Sequence, residues 1–279
     1  MALDVFVDGL AFPEGLRWHD GQLWFSDMHD ETVWRVSEDG TRHRVCEVAG
    51  RPSGLGWLPG GELLVVSMMD RKVLKLDAGG KLTDYADLSG LAPRRTNDMI
   101  VDGTGRAYVG NFGFDFDNGE EQASTTLALV TPDGRVSAAG SELVFPNGMA
   151  ITADGSTLIV AETFAACLTA FDIADDGSLS NKRTWAALKD GAIPDGICID
   201  AEDAIWVASP MTGDCQRIKE GGEVTDRIVT GRQAIACTLG GSTGDMLYVA
   251  TAESVMREEC LKARSGRIEK TRVKVPAGN

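Results

Sequence analysis

Six positions along the chain share one local setting. Each follows a proline or its equivalent, most precede a glycine, and all open a short apolar run: Glu14, Ser53, Asn97, Asn147, Asp195 and Ile235. Glu14, Asn97, Asn147 and Asp195 carry carboxylate or amide oxygens, the donors that a hard cation takes, and two carboxylates brought together out of water need such a partner. No His or Cys joins the set, so Ca²⁺ is the expected ion, with Mg²⁺ or Mn²⁺ as alternatives and Zn²⁺ fitting less well. Taken singly, each position is equally explained by the preference of Asn, Asp and Ser for turns that lead into strands. The cation reading depends on all of them meeting at one place.

A repeat supplies that meeting point. Pro13-Glu14-Gly15-Leu16, Pro52-Ser53-Gly54-Leu55, Thr96-Asn97-Asp98-Met99, Pro146-Asn147-Gly148-Met149 and Pro194-Asp195-Gly196-Ile197 are five copies of one motif, and Ala234-Ile235-Ala236-Cys237 is a degraded sixth. Each is followed by a turn such as Asp20-Gly21, Asp102-Gly103 or Asp154-Gly155. An apolar run comes next, for example Leu63-Leu64-Val65-Val66 or Leu158-Ile159-Val160-Ala161. Short runs rich in Val, Ile, Leu and Trp between such turns read as hairpin strands, and a unit of about 40–50 residues is that of a four-stranded propeller blade. The expectation is one all-β domain over residues 1–279, a six-bladed propeller. The strand Leu3–Val7 closes the ring against Arg267-Ile268-Glu269 or Arg272-Val273-Lys274-Val275. First strands line a central channel in parallel, which places the six positions at one mouth.

Composition narrows the partners. The chain has 279 residues, with 27 Lys and Arg against 42 Asp and Glu, a net charge of −15. An acidic chain without a basic stripe is not expected to bind nucleic acid or an anionic membrane. No run reaches transmembrane length and no leader pattern opens the chain, so a cytoplasmic protein is expected. The six cysteines are spread without a CxxC pair, and Cys198 and Cys237 read as small buried hydrophobes rather than as part of a disulfide framework.

The motifs Pro-Glu-Gly, Thr-Asn-Asp, Pro-Asn-Gly and Pro-Asp-Gly-Ile, in this order and spacing, resemble those of the SMP-30/gluconolactonase/luciferin-regenerating-enzyme family over essentially the whole chain. The resemblance implies that Glu14, Asn147 and Asp195 bind the metal. It also implies that Asn97 contacts substrate or completes the shell, and that Arg95 contacts substrate. It implies a lactone hydrolase in which the metal polarises the ester carbonyl and stabilises the oxyanion as water attacks. Asp195 is the expected general base, with Glu14 as the alternative. A phosphotriester hydrolase on the same ligands and a non-catalytic propeller that binds a partner through its loops are the competing readings.

Loops after the second strands should rim the mouth. They bring Met28, His29, Met68, Met69, Phe112, Phe114, Phe116, Phe164 and Met211. Of these, His29, Phe112, Phe164 and Met211 are candidate substrate contacts, with His29 a candidate proton shuttle. The apolar character favours an aromatic or alkyl-bearing lactone over a bare sugar lactone. The acidic stretch from Phe112 to Gln122 departs from the EF-hand pattern and reads as a solvated loop. Gly240-Gly241-Ser242-Thr243-Gly244 spells G-x-S-x-G but lies between strands, whereas a nucleophile elbow needs a strand-to-helix turn.

Overall fold

The computed structural model describes residues 3–278. Twenty-four strands form six four-stranded antiparallel sheets, the blades of a propeller. Blade 1 takes Pro13–His19, Gln22–Asp27, Thr32–Ser37 and Arg42–Glu47 from the channel outward. Blades 2 to 5 repeat this order, beginning at Pro52–Trp57, Thr96–Val101, Pro146–Ile151 and Ile197–Ile199. Blade 6 joins the two ends of the described chain. Gln233–Gly240, Met246–Ala252 and Gly266–Arg272 are completed by the N-terminal strand Asp4–Leu10, with Asp4 opposite Lys270 and Val5 opposite Glu269. Of the two expected closing partners, the strand takes the one that contains Arg267-Ile268-Glu269.

Burial falls from the axis to the rim. Second strands are covered on both faces by neighbouring blades, so Leu63–Ser67 and Ile205–Ser209 are buried throughout, the continuous apolar pattern of a strand without a wet face. Outermost strands such as Arg42–Glu47 are exposed or half-buried. The core is therefore a set of interfaces between blades: Val33, Leu55, Leu63 and Val65 fill the first, and Ile159, Leu168, Trp185, Ile205 and Val207 the fourth. Aspartates stabilise the turns away from the mouth. Asp102 Oδ1 accepts from the amides of Thr104 (2.9 Å) and Arg106 (3.0 Å), and Asp200 Oδ1 from Glu202 (2.9 Å) and Ala204 (3.1 Å).

All six cysteines are free. Cys198 and Cys237 lie on neighbouring inner strands with their sulfurs 3.9 Å apart. The G-x-S-x-G letters form the hairpin between Gln233–Gly240 and Met246–Ala252, with a strand on each side. No helix among the described residues is long and apolar enough to cross a membrane.

Candidate metal and active centre

Five inner strands begin at the mouth with a break in their pairing to the second strand. Register shifts fall between Glu14 and Arg17, Pro52 and Leu55, Thr96 and Met99, Pro146 and Met149, and Ala234 and Ala236. A bulge of this kind re-aims a side chain that regular pleating would send into a sheet face. In blade 5 the inner strand is only Ile197–Ile199, and Asp195 stands just ahead of it.

The glycine after the ring position has a separate cause. Neighbouring inner strands converge on the axis, and a Cβ on Gly148 would lie 2.5 Å from the amide nitrogen of Ile197. On Gly54 it would lie 2.3 Å from that of Met99. The same approach lets strands bond across blades: the Gly148 amide donates to Asp195 O (3.1 Å) and the Gly196 amide to Ile235 O (2.9 Å).

The ring side chains are anchored from behind. Asp27, buried, accepts from the amides of Ala11 (3.0 Å) and Phe12 (2.7 Å) and so fixes the segment that delivers Glu14. Asn97, buried, donates its Nδ2 to Pro146 O (3.3 Å). Asn147 donates its Nδ2 to Thr163 Oγ1 (3.3 Å), and that hydroxyl donates to Pro194 O (2.9 Å). Both amides thus turn nitrogen toward protein oxygens. The Asp195 amide donates to Ala208 O (2.9 Å), tying it to the second strand of its blade.

The electrostatics of the ring are those of a site short of positive charge. Burial pushes the Glu14 carboxyl up to about 8; the charges of Asp195 and Asp98 add to the rise, while a hydrogen bond from Ser53 and the charge of Arg17 oppose it. Burial likewise pushes Asp195 up to about 8, with Asp98 adding and a hydrogen bond from Asn147 opposing. Each residue keeps some exposure along the channel, but the carboxyl groups themselves are enclosed, and Glu14 Oε1 is buried without any hydrogen-bond partner. An enclosed, unpartnered carboxylate oxygen beside a second carboxylate fits a cation. Among the described residues no group of three or more His, Cys, Asp or Glu is placed to hold a metal. Any cation at this mouth would therefore have to draw on amide as well as carboxylate oxygens, the donor types that Glu14, Asn147 and Asp195 offer.

Two members of this neighbourhood were not singled out from the sequence. Asp98 is buried, binds Arg17 Nη2 at 2.8 Å and accepts from its neighbour's amide, Met99 N, at 2.8 Å. It occupies the place held by Gly15, Gly54, Gly148 and Gly196 in other copies, and that departure from the repeat was the available signal. Phe145, also buried, is the second. Its ring centroid lies 4.2 Å from that of Phe112 and 4.9 Å from that of Phe164.

The rim residues separate into three groups. Phe112 and Arg95, with Phe114 and Phe116, line a cavity of about 320 Å³, and Phe164 packs on Phe116 at 5.7 Å. Arg95 bonds Asp117 of the acidic loop and lies 5.8 Å from the Phe112 ring centre. Met211 is 73% exposed and is not among the residues lining that cavity. His29 is buried, its Nε2 3.1 Å from Val255 O, and burial pushes its pKa down to about 4. The structure thus holds His29, the candidate proton shuttle, between the loops of blades 1 and 6. The acidic loop is tied down too: Arg94 pairs with Glu120 at 3.0 Å.

Comparison with known proteins places this geometry in a family. The model described as SMP-30/Gluconolactonase/LRE-like region matches residues 12–253. Regucalcin of Danio rerio is 29% identical over 184 residues, 64% of this chain and 62% of its own length. The chain therefore spans about three fifths of that curated relative. A pentonolactonase of Haloferax volcanii is 26% identical over 245 residues, covering 86% of this chain and 81% of its own. A regucalcin structure from Agrobacterium tumefaciens, described as a calcium-binding protein, superposes with a TM-score of 0.83 over 99% of this chain and 95% of that one, at 20% identity. At that identity the superposition speaks for the fold. The family match runs from before Glu14 to beyond Ile235 and so encloses the whole ring; the chain belongs to the SMP-30/gluconolactonase/LRE-like family.

Proposed function

We propose that this chain hydrolyses a lactone at the channel mouth, with a divalent cation, Ca²⁺ first among the candidates, held by Glu14, Asn147 and Asp195. The observation that carries the reading is the enclosed pair Glu14 and Asp195, both pushed up to about 8, with Glu14 Oε1 unpartnered. The pentonolactonase name among the relatives, and the calcium described for the regucalcin structure, agree with it. A cation bound there supplies a Lewis acid for the ester carbonyl and positive charge for the oxyanion. Asp195 takes the proton of the attacking water, a role worth about 10²–10⁴-fold; Glu14 is the alternative base. Asn97, fixed through its Nδ2, and Arg95 position the substrate, and the phenylalanines around Phe145 exclude water from one side.

The aromatic side of the mouth argues for a lactone with an apolar or aromatic body. The test is a panel of dihydrocoumarin, glucono-δ-lactone and a paraoxon-type phosphotriester. Dihydrocoumarin turned over with the highest kcat/KM, and lost in Asp195→Ala, is the expected result. A faster sugar lactone would overturn the apolar preference, and a faster phosphotriester would replace the reaction class. No turnover of any member would favour the non-catalytic binding propeller.

A further inference from the structure

Two residues ahead of each ring position lies a second set: Phe12, Arg51, Arg95, Phe145, Ile193 and Gln233. Arg51 and Arg95 are thus equivalent residues on adjacent blades. Both are fixed to one short rim segment, since the Met68 amide donates to Arg51 O (2.9 Å) and the Thr96 amide to Met68 O (3.3 Å). The Arg95 side chain is 23% exposed, lines the cavity and carries Asp117 on one edge. Arg51 is half-buried, and its guanidinium makes no ion pair or side-chain hydrogen bond among the described residues. Its electrostatic neighbours are Arg257 and Glu31, and Glu31 is already engaged by Arg257 at 2.7 Å. Arg95 and His29 both feel the positive charge of Arg51.

A half-buried guanidinium set among other cations, without an acceptor, is an arrangement that an incoming anion relieves. At the rim, Arg95 lines the cavity together with Phe112, Phe114 and Phe116, its guanidinium 5.8 Å from the Phe112 ring centre, so charged and aromatic groups meet in one place.

From this juxtaposition we infer that Arg51, together with Arg95, forms an anion subsite, and that the lactone taken by this mouth carries a carboxylate. Resting on the hydrolase reading above, the inference adds the substrate class. A guanidinium fork matches a carboxylate in two parallel hydrogen bonds, and two adjacent forks fix the far end of the substrate while its apolar part lies along Phe112 and Phe116, which line the cavity. Arg95 has donors beyond those used by Asp117, so the loop need not leave for the subsite to work.

The test compares two matched pairs in wild type, Arg51→Gln, Arg51→Lys and Asp117→Asn. One pair is a γ-lactone carboxylate and its carboxamide, followed by turnover. The other is the unreactive γ-lactam carboxylate and its amide, followed by calorimetry. Wild type should prefer the carboxylate by about tenfold or more in both pairs. The preference should collapse in Arg51→Gln through KM, return in part in Arg51→Lys, and rise in Asp117→Asn, which frees Arg95. Absence of a carboxylate preference in wild type, or an unchanged preference in Arg51→Gln, would overturn the subsite. Turnover of the neutral lactone without that preference leaves the hydrolase standing and the subsite refuted. Preferential lactam binding without any turnover does the reverse.

Discussion

Glu14 and Asp195 make the molecule sensitive to pH in a direction that can be worked out. Both carboxyls are raised to about 8 in the folded chain without a cation, whereas in the unfolded chain they release their protons near ordinary carboxylate values of about 4. Between those values the folded state holds more protons than the unfolded state, so stability falls as pH rises through the window. The unfolding midpoint of EDTA-treated protein should therefore drop between about pH 5 and pH 8. Saturating Ca²⁺ should remove most of that drop, because a cation held by these carboxyls would bind only the folded ring. Identical profiles with and without Ca²⁺ would contradict the assignment. Glu14→Gln should flatten the metal-free profile and cut turnover by about 10²–10⁴-fold. A variant that keeps both the slope and the activity would remove Glu14 from the site.

At the scale of the element, the inner strands do two jobs, aiming a side chain and packing against each other, and the glycines separate these jobs. Gly148→Ala drives a Cβ to 2.5 Å from Ile197 N and 2.7 Å from Asp195 O. It should cost about 1–3 kcal/mol of stability, the usual range for overpacking, and depress activity by displacing Asp195. Gly103→Ala in a turn meets nothing within 4 Å and should leave denaturant midpoints almost unmoved. Equal losses in the two variants would show that the close approach of the blades is not what selects glycine. The repeat made these strands legible in the sequence, because apolar runs and Asp-Gly turns recur at one period. The repeat picked out six ring positions, and the family resemblance singled out Glu14, Asn147 and Asp195 among them. Asp98 was hidden because it occupies a glycine's place rather than the ring position, and Phe145 because it precedes the motif. The clamp on His29 comes from Val255, far away in sequence, and no local pattern announces such a contact between loops.

The whole ring depends on closure. Ile268 is fully buried in the strand that pairs with Asp4–Leu10, opposite Val7. Ile268→Ala should cost about 2–5 kcal/mol and lower the midpoint of a single cooperative transition seen by every probe. An early, separate transition of blade 6 would show instead that the remaining five blades stand alone. Closure should also set the proposed activity, because Glu14 follows shortly after the closing strand while Asn147 and Asp195 come from blades 4 and 5. A donor set gathered from three blades exists only in the complete ring, and the fold was legible in the sequence for that reason: six copies are needed to bring the positions together.

The measurement that bears most directly on the account is lactone hydrolysis by EDTA-stripped protein with Ca²⁺, Mn²⁺, Mg²⁺ and Zn²⁺ added back singly, in wild type and in Asp195→Ala. The expected result is no activity in the stripped protein, recovery with Ca²⁺ or another oxygen-preferring cation in wild type, and no recovery in Asp195→Ala that still folds. Full activity in the stripped protein, or equal recovery in Asp195→Ala, would contradict it.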